Sequence, residues 1–212
     1  MKEHTKAVLE ACTGQLVALG LTRRRRGLAV WQMNDEMWGG VGMQAQFLPS
    51  GAMRIIPVPQ VVWDPVEQLV AHGKGTGYRP WSGTAITRSR VVLPDKRTGP
   101  FEFRDPEVQG AMLDRFGVFV RLRLIPLILD MADEREILNH YRTEAYKGMG
   151  RAEHALAILA WTHKSLELDE DFGSLLSVQT QDETRERLAA FHHRLRGSEE
   201  ARALIAPEIG AE

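Results

Sequence analysis

The chain has 212 residues, of which 43% are hydrophobic and 26% charged, and its formal net charge is −1. These values are ordinary for a folded globular protein and exclude a chain that is disordered over most of its length. The single cysteine, Cys12, excludes an intrachain disulfide. The longest apolar run, Leu124 to Leu129, is much shorter than the roughly 20 residues that a membrane-spanning helix requires.

Residues 3–20 are predicted to form an amphipathic helix. Apolar side chains recur there at three- and four-residue spacing, and Gly20 is a suitable C-terminal stop. Cys12 belongs to the apolar face, so we expect a small core residue rather than a nucleophile. The charged residues Lys2, Glu3 and Lys6 precede no long apolar stretch, which is unlike a secretory signal peptide. We therefore expect a cytoplasmic protein that does not associate with a membrane.

Residues 28–63 predict an antiparallel sheet. The candidate strands, separated by turn-forming residues, are 28–33, 41–47 and 53–63. Because Pro57 and Pro59 cannot donate hydrogen bonds to a ladder, the third strand is expected at an edge or interrupted midway. After it we expect a short helix from Pro65 to His72 and a glycine-rich loop over residues 73–84. Ile86 to Leu93 alternates again and predicts a return to the sheet.

From Asp105 onward the pattern is helical, with Asp105 as a candidate N-cap and Pro126 expected to break or kink the first segment. Further helices are predicted over residues 133–146, 151–168, 181–196 and 198–205, the last with Ser198 as a candidate N-cap. The order of helix, strands and helices predicts the α+β class, with an N-terminal helix, an antiparallel sheet and a C-terminal helical region. We expect a mixed region over residues 1–105 and a helical region over 106–212, packed together as one unit.

Charge is distributed unevenly along the chain. Residues 1–105 carry 14 basic and 9 acidic side chains, whereas the remainder carries 13 basic and 19 acidic. Such an asymmetry fits separate faces for charged partners, and it equally fits two halves that attract each other within one fold. Arginine outnumbers lysine by 21 to 6, a usage typical of GC-rich bacterial genomes.

Several short segments together resemble the bacterial family called domain of unknown function 4304. They are the helix that runs into Leu19-Gly20-Leu21, the basic cluster Arg23–Arg26 with Gly27, the strand that bears Gln44 and Gln46, and the later stretch Ile125–Leu129. The resemblance extends over about the first 130 residues. It implies a helix-flanked antiparallel sheet and a binding or immunity-type protein rather than an enzyme.

The run Arg23–Arg26 suggests a phosphate-binding patch, with Trp31 and Trp38 nearby to stack on nucleic-acid bases. However, the pI of about 6.7 is well below that of a dedicated nucleic-acid-binding domain. In an extended segment, alternate arginines also point to opposite faces. Pairing with the acidic C-terminal half explains the run equally well. Nucleic-acid binding is therefore the least favoured hypothesis.

The glycine-rich segment 73–81 invites a phosphate-binding interpretation, but it lacks the spacing of a P-loop and does not join a clear strand to a helix. We expect a surface loop that contacts a ligand or partner, because it combines two aromatic side chains with the guanidinium of an arginine and the ammonium group of a lysine. The candidate binding residues are Lys74, Tyr78, Arg79 and Trp81 of this loop, together with Trp38 of the predicted sheet.

No set of residues indicates catalysis or metal binding. The sequence has neither a Gly-x-Ser-x-Gly elbow nor a His-Glu-x-x-His pair, and no cofactor is expected. Glu136, His140 and Glu144 share one helix face, but one helix offers too few convergent ligands. The favoured hypothesis is a non-enzymatic protein-interaction protein, of immunity type as the resemblance implies. The alternative is a protein that binds a small anionic ligand, or an accessory enzyme, through the loop 73–81.

Overall fold

The computed structural model describes residues 2–81, 88–89, 100–104, 109–147 and 151–206. The helices are α1 (Lys2–Ala18), α2 (Asp64–Lys74), α3 (Gln109–Phe119), α4 (Ile125–Met131), α5 (Glu134–Tyr146), α6 (Ala152–His163), α7 (Asp169–Ser177), α8 (Asp182–Gly197) and α9 (Glu199–Ile205). The strands are β1 (Thr22–Arg25), β2 (Leu28–Gln32), β3 (Met37–Phe47), β4 (Met53–Trp63), β5 (Arg88–Ser89) and β6 (Phe101–Phe103). An N-terminal helix, an antiparallel sheet and a C-terminal helical region confirm the predicted α+β class.

The described residues form two compact units. The sheet unit comprises residues 1–61 and 88–132, and the helical unit comprises residues 62–87 and 133–212. Helices α3 and α4 therefore belong with the sheet, although they follow the expected boundary near residue 105. That boundary falls largely on residues 105–108, outside the described ones, and the division into 1–105 and 106–212 stays a prediction. The expected N-cap at Asp105 also lies outside the described residues.

The sheet has the strand order β1-β2-β3-β4-β5, and β6 also pairs with β4. Strand β4 is continuous through Pro57 and Pro59, which were expected to place it at an edge or to interrupt it. Strand β6 pairs with residues 53–55 and β5 with residues 60–61. Among the described residues, the prolines thus lie between the segments of β4 that pair with these two strands.

Helices α1 and α3 pack against each other and against the sheet. Cys12 of α1 is fully buried, as expected of a small core residue, and this burial raises the pKa of its thiol to about 12. Next to it, the buried Thr13 hydroxyl accepts a hydrogen bond from the Gly27 backbone N–H at 3.1 Å. This bond ties α1 to the turn between β1 and β2, where Gly27 has a φ of +76°.

The chain remains helical through Pro126, where the sequence predicts a break or kink. A π-helical segment, Val120–Leu124, joins α3 to α4, and Pro126 lies in the first turn of α4. Because proline cannot donate a hydrogen bond to the preceding turn, the wider π-helical turn accommodates the missing bond without ending the helix. Residues 109–131 therefore form one continuous helical rod in the sheet unit.

The helical unit is built around α6, on which α2 and α5 pack. Its alanines Ala152, Ala155, Ala157 and Ala160 are all buried, and their small side chains allow these helices to approach closely. Ser198 caps α9 as predicted, since its side chain accepts a hydrogen bond from the Ala201 N–H at 3.1 Å. No helix among the described residues is long and apolar enough to cross a membrane.

Candidate functional site

The predicted glycine-rich loop is only partly a loop. Gly73 and Lys74 form the end of α2, and Gly75 closes that helix in the left-handed conformation with a φ of +67°. A methyl group on Gly73 would lie 2.3 Å from the ring of Phe191 in α8, so this position admits no side chain. Gly73 and Gly75 therefore have local roles in packing and capping, which leaves Gly77 as the remaining glycine among the described residues of the loop, 73–81.

The structure places the predicted binding residues in different surroundings. Lys74 and Arg79 are exposed, whereas Trp81 is only 6% exposed and has a φ of +60°. The hydroxyl of the half-buried Tyr78 donates a hydrogen bond to the Asp64 carboxylate at the start of α2. Trp38 is half-buried and belongs to the sheet unit rather than to the helical unit that holds the other four. Their role as binding residues stays a prediction.

Three of the four clustered arginines have partners within the sheet unit. Arg23 pairs with Glu10 of α1, with one N–O distance of 2.9 Å, and Arg26 lies 3.6 Å from the same carboxylate. The hydrogen bond from Arg23 is the first cause that lowers the pKa of Glu10. The guanidinium of Arg24 lies over the ring of Trp38, 5.4 Å from its centroid. The cluster is thus partly used in holding the sheet unit together.

One face of the helical rod 109–131 exposes a row of large aliphatic side chains, which we call the apolar stripe. It consists of Val118, Leu122 and Leu129, which are 48%, 59% and 53% exposed. Their spacings of four and seven residues correspond to one and two helical turns, so the three side chains share one face. The opposite face, with Phe116, Val120, Leu124 and Ile128, is buried against the sheet unit.

The surroundings of the apolar stripe are basic. The exposed Arg121 precedes Leu122 directly, and Arg115 and Arg123 are also exposed on the rod. Two exposed carboxylates, Asp114 and Asp130, lie on the same rod. The sheet unit as a whole has 15 basic and 10 acidic side chains, whereas the helical unit has 12 basic and 18 acidic. The stripe therefore belongs to a unit that attracts anionic surfaces.

A cleft of about 490 Å³ opens on the helical unit among α7, α8 and α9. Its lining residues include Glu167, Phe172, His192, Arg196, Gly197 and Arg202. Two carboxylates hold Arg196, which donates to Glu167 at 2.6 Å and to Asp169 at 2.8 Å. Arg202 donates from Nη2 to the Arg196 carbonyl at 2.7 Å. These bonds connect the loop before α7 with the C-terminal end of α8 and with α9.

His192 lines this cleft with an almost completely buried imidazole. Its side chain is 8% exposed and stacks on the Phe172 ring, with 4.2 Å between ring centroids and 16° between planes. Its Nε2 has no hydrogen-bond partner among the described residues, and the Oδ1 atom of Asp169 is 3.9 Å away. Burial, opposed in part by the Asp169 charge, lowers the pKa of His192. The imidazole is therefore neutral at neutral pH.

The lowered pKa of His192 makes the stability of the helical unit depend on pH. Below the usual histidine pKa of about 6.5, the unfolded chain takes up a proton before the folded chain does. The contribution of His192 to the free energy of unfolding is thus constant above that pH and decreases as the pH falls toward the folded pKa. The variant His192→Phe lacks this titrating group. When the free energy of unfolding is measured with urea at pH 7.5 and at pH 5, it should decrease less for the variant than for the wild type. An equal loss in both proteins would contradict the lowered pKa.

Sequence reasoning missed the cleft residues His192, Arg196 and Arg202. A signal was present in α8, where Ala189, His192, His193, Arg196 and Gly197 recur at three- and four-residue spacing. The adjacent His192 and His193 point in different directions, one buried and the other exposed, as a helix requires. Among the described residues, no group of three or more His, Cys, Asp or Glu side chains is placed to hold a metal ion.

Comparisons of the chain with protein-family models, with curated proteins and with solved structures found no match. The resemblance to domain of unknown function 4304 accordingly stays an expectation from the sequence.

Proposed function

We propose that this chain is a non-enzymatic, cytoplasmic protein-interaction protein whose sheet unit binds an acidic protein partner through the apolar stripe. The observation that carries the proposal is the exposure of three large aliphatic side chains in one row on the helical rod 109–131. Exposed apolar surface that is aligned in this way commonly marks a binding site. Its burial is favourable by roughly 25 cal/mol for each Å² removed from water.

Charge indicates the kind of partner. Arg121 lies beside Leu122, and the sheet unit that presents the stripe has an excess of basic side chains. A partner helix with an apolar face and acidic flanks would bury the stripe and complement these arginines. Such complementarity accelerates association and is screened by salt, so we expect the association rate to decrease as the ionic strength rises. An immunity-type role, with a toxin as the acidic partner, is the narrower form of this proposal.

The variant Leu122→Asp tests the proposal, because it places a charge at the centre of the stripe. The full chain is used to recover its partner from cells, the partner is purified, and both chains are titrated by calorimetry. We expect Leu122→Asp to weaken binding by about 30-fold or more, the effect of losing a central interface residue. Its melting temperature should change little, because the side chain is exposed.

The matched control is Phe47→Asp, which changes an equally exposed apolar residue on β3, outside the stripe. We expect it to bind the partner like the wild type. Equal weakening by both variants, or wild-type binding by Leu122→Asp, would refute the docking site. The chain alone is also examined by sedimentation and with vesicles of anionic lipid. A dimer or a vesicle complex that Leu122→Asp abolishes would assign the stripe to a second copy or to a membrane instead.

A further inference from the structure

We propose that the cleft among α7, α8 and α9 binds a small flat organic anion, in which a carboxylate or phosphate group is attached to an aromatic ring. This site belongs to the helical unit, and the inference does not depend on the apolar stripe or on the function proposed for it. It also differs from the loop 73–81, in which the sequence places the candidate ligand contacts.

An arginine without a carboxylate partner provides the reason for an anionic group. Of the two guanidinium groups in the lining, that of Arg196 is paired with Glu167 and Asp169, whereas that of Arg202 has no carboxylate partner among the described residues. Glu167 and Asp169 already fix the guanidinium of Arg196, so a ligand need not immobilise a flexible side chain. Arg202 uses only Nη2 in a hydrogen bond among the described residues. Its other N–H groups remain available for a planar or tetrahedral anion.

The opposite part of the cleft provides the reason for a ring. Phe172 is half-buried and lines the cleft, and because His192 stacks on one face of its ring, a ligand ring would pack on the other face. Aromatic ligands pack well against such faces, and a cleft of this volume is in the range of small-molecule sites. The Nε2 atom of His192, beside this ring, is buried without a hydrogen-bond partner among the described residues, which is unfavourable for a polar atom.

Gly197 lines the cleft without a side chain. A methyl group added to Gly197 would meet no atom within 4 Å, and its φ is not in the left-handed region. A residue with a side chain can therefore adopt the existing backbone conformation, and a larger side chain would take up space beside the lining. The substitution Gly197→Leu is thus suited to block the site while preserving the fold.

The experiment uses the full chain and four probes, followed by the NMR signals of the histidine ring protons and by calorimetry. Phenyl phosphate and benzoate carry a ring with an anionic group, benzyl alcohol carries the ring alone, and inorganic phosphate is the anion alone. We expect phenyl phosphate or benzoate to bind at least about tenfold more tightly than either single-feature probe and to shift the His192 signal. Comparison of these two tells whether the site prefers phosphate or carboxylate.

Variants locate the binding. We expect Gly197→Leu and Arg202→Gln each to lower the affinity for the preferred probe by about tenfold or more, while the melting curves remain like that of the wild type. The control Arg185→Gln removes an exposed arginine of α8 that does not line the cleft, and it should bind like the wild type. Absence of binding by all four probes up to about 10 mM would overturn the inference. Equal affinity for phenyl phosphate and inorganic phosphate, or wild-type binding by both cleft variants, would overturn it as well.

Discussion

Replacing Gly73 by valine is expected to destabilise the helical unit by about 3 kcal/mol, the upper end of the usual cost of overpacking a core. Even a methyl group at this position would lie 2.3 Å from the Phe191 ring, which is fully buried. The Gly73 carbonyl also accepts a hydrogen bond from Arg194 Nε at 2.8 Å, which a separation of α2 from α8 would break. Urea unfolding followed by circular dichroism measures the loss.

Two further variants identify the cause of this destabilisation. The control Gly77→Val changes a glycine of the same segment that has open space around it, so it should cost less than about 1 kcal/mol. In the double variant Gly73→Val/Phe191→Leu, the smaller side chain leaves room for the valine, and the two effects should be less than additive. Full additivity would show that the Phe191 ring is not what excludes a side chain at residue 73.

Replacing Phe101 by alanine is expected to destabilise the sheet unit by about 3–5 kcal/mol. The Phe101 side chain is fully buried in β6, and its ring makes edge contacts with those of Phe116 and Phe119, at centroid distances of 5.4 Å and 5.3 Å. Its removal would leave a cavity between β6 and α3 and would abolish both aromatic contacts. Thermal and urea unfolding of the purified variant measure the effect.

Phe47→Ala is the matched control, because Phe47 is also a strand phenylalanine but is 45% exposed. We expect it to cost less than about 1 kcal/mol, since most surface truncations leave no cavity. Similar losses in the two variants would mean that the cluster around Phe101 contributes no more than a surface residue does.

The elements that could be predicted are those whose signals are local. The apolar periodicity of residues 3–20 predicts α1 and the burial of Cys12, and Ser198 predicts the start of α9. Helix α7 was not predicted, because its short acidic sequence around Asp169 resembles a solvated loop. A period of 3.6 residues is visible in one segment of sequence, whereas a short helix owes its stability to the surface on which it packs.

The sites depend on residues that are distant in sequence, and they were therefore harder to predict. Gly73 looks like part of a flexible loop until Phe191 is found against it. Pro57 and Pro59 lie within a continuous strand, and the described parts of β5 and β6 pair with other residues of β4. The cleft residues of α8 recur at a spacing that is visible in the sequence of that helix. Phe172 and Arg202 come from other helices, and nothing in the α8 sequence indicates them.

By itself, the sequence determined the class of the protein: an α+β chain with a sheet after its first helix, no disulfide, and uneven charge along its length. Composition and periodicity suffice for this, because they decide which faces of each element must be buried. The tertiary structure alone decided which apolar side chains remain exposed, as Leu122 does, and which polar ones become buried, as His192 does. Exposure depends on which neighbours fold onto a residue. Periodicity shows that a face is buried, but it does not show which distant element covers that face.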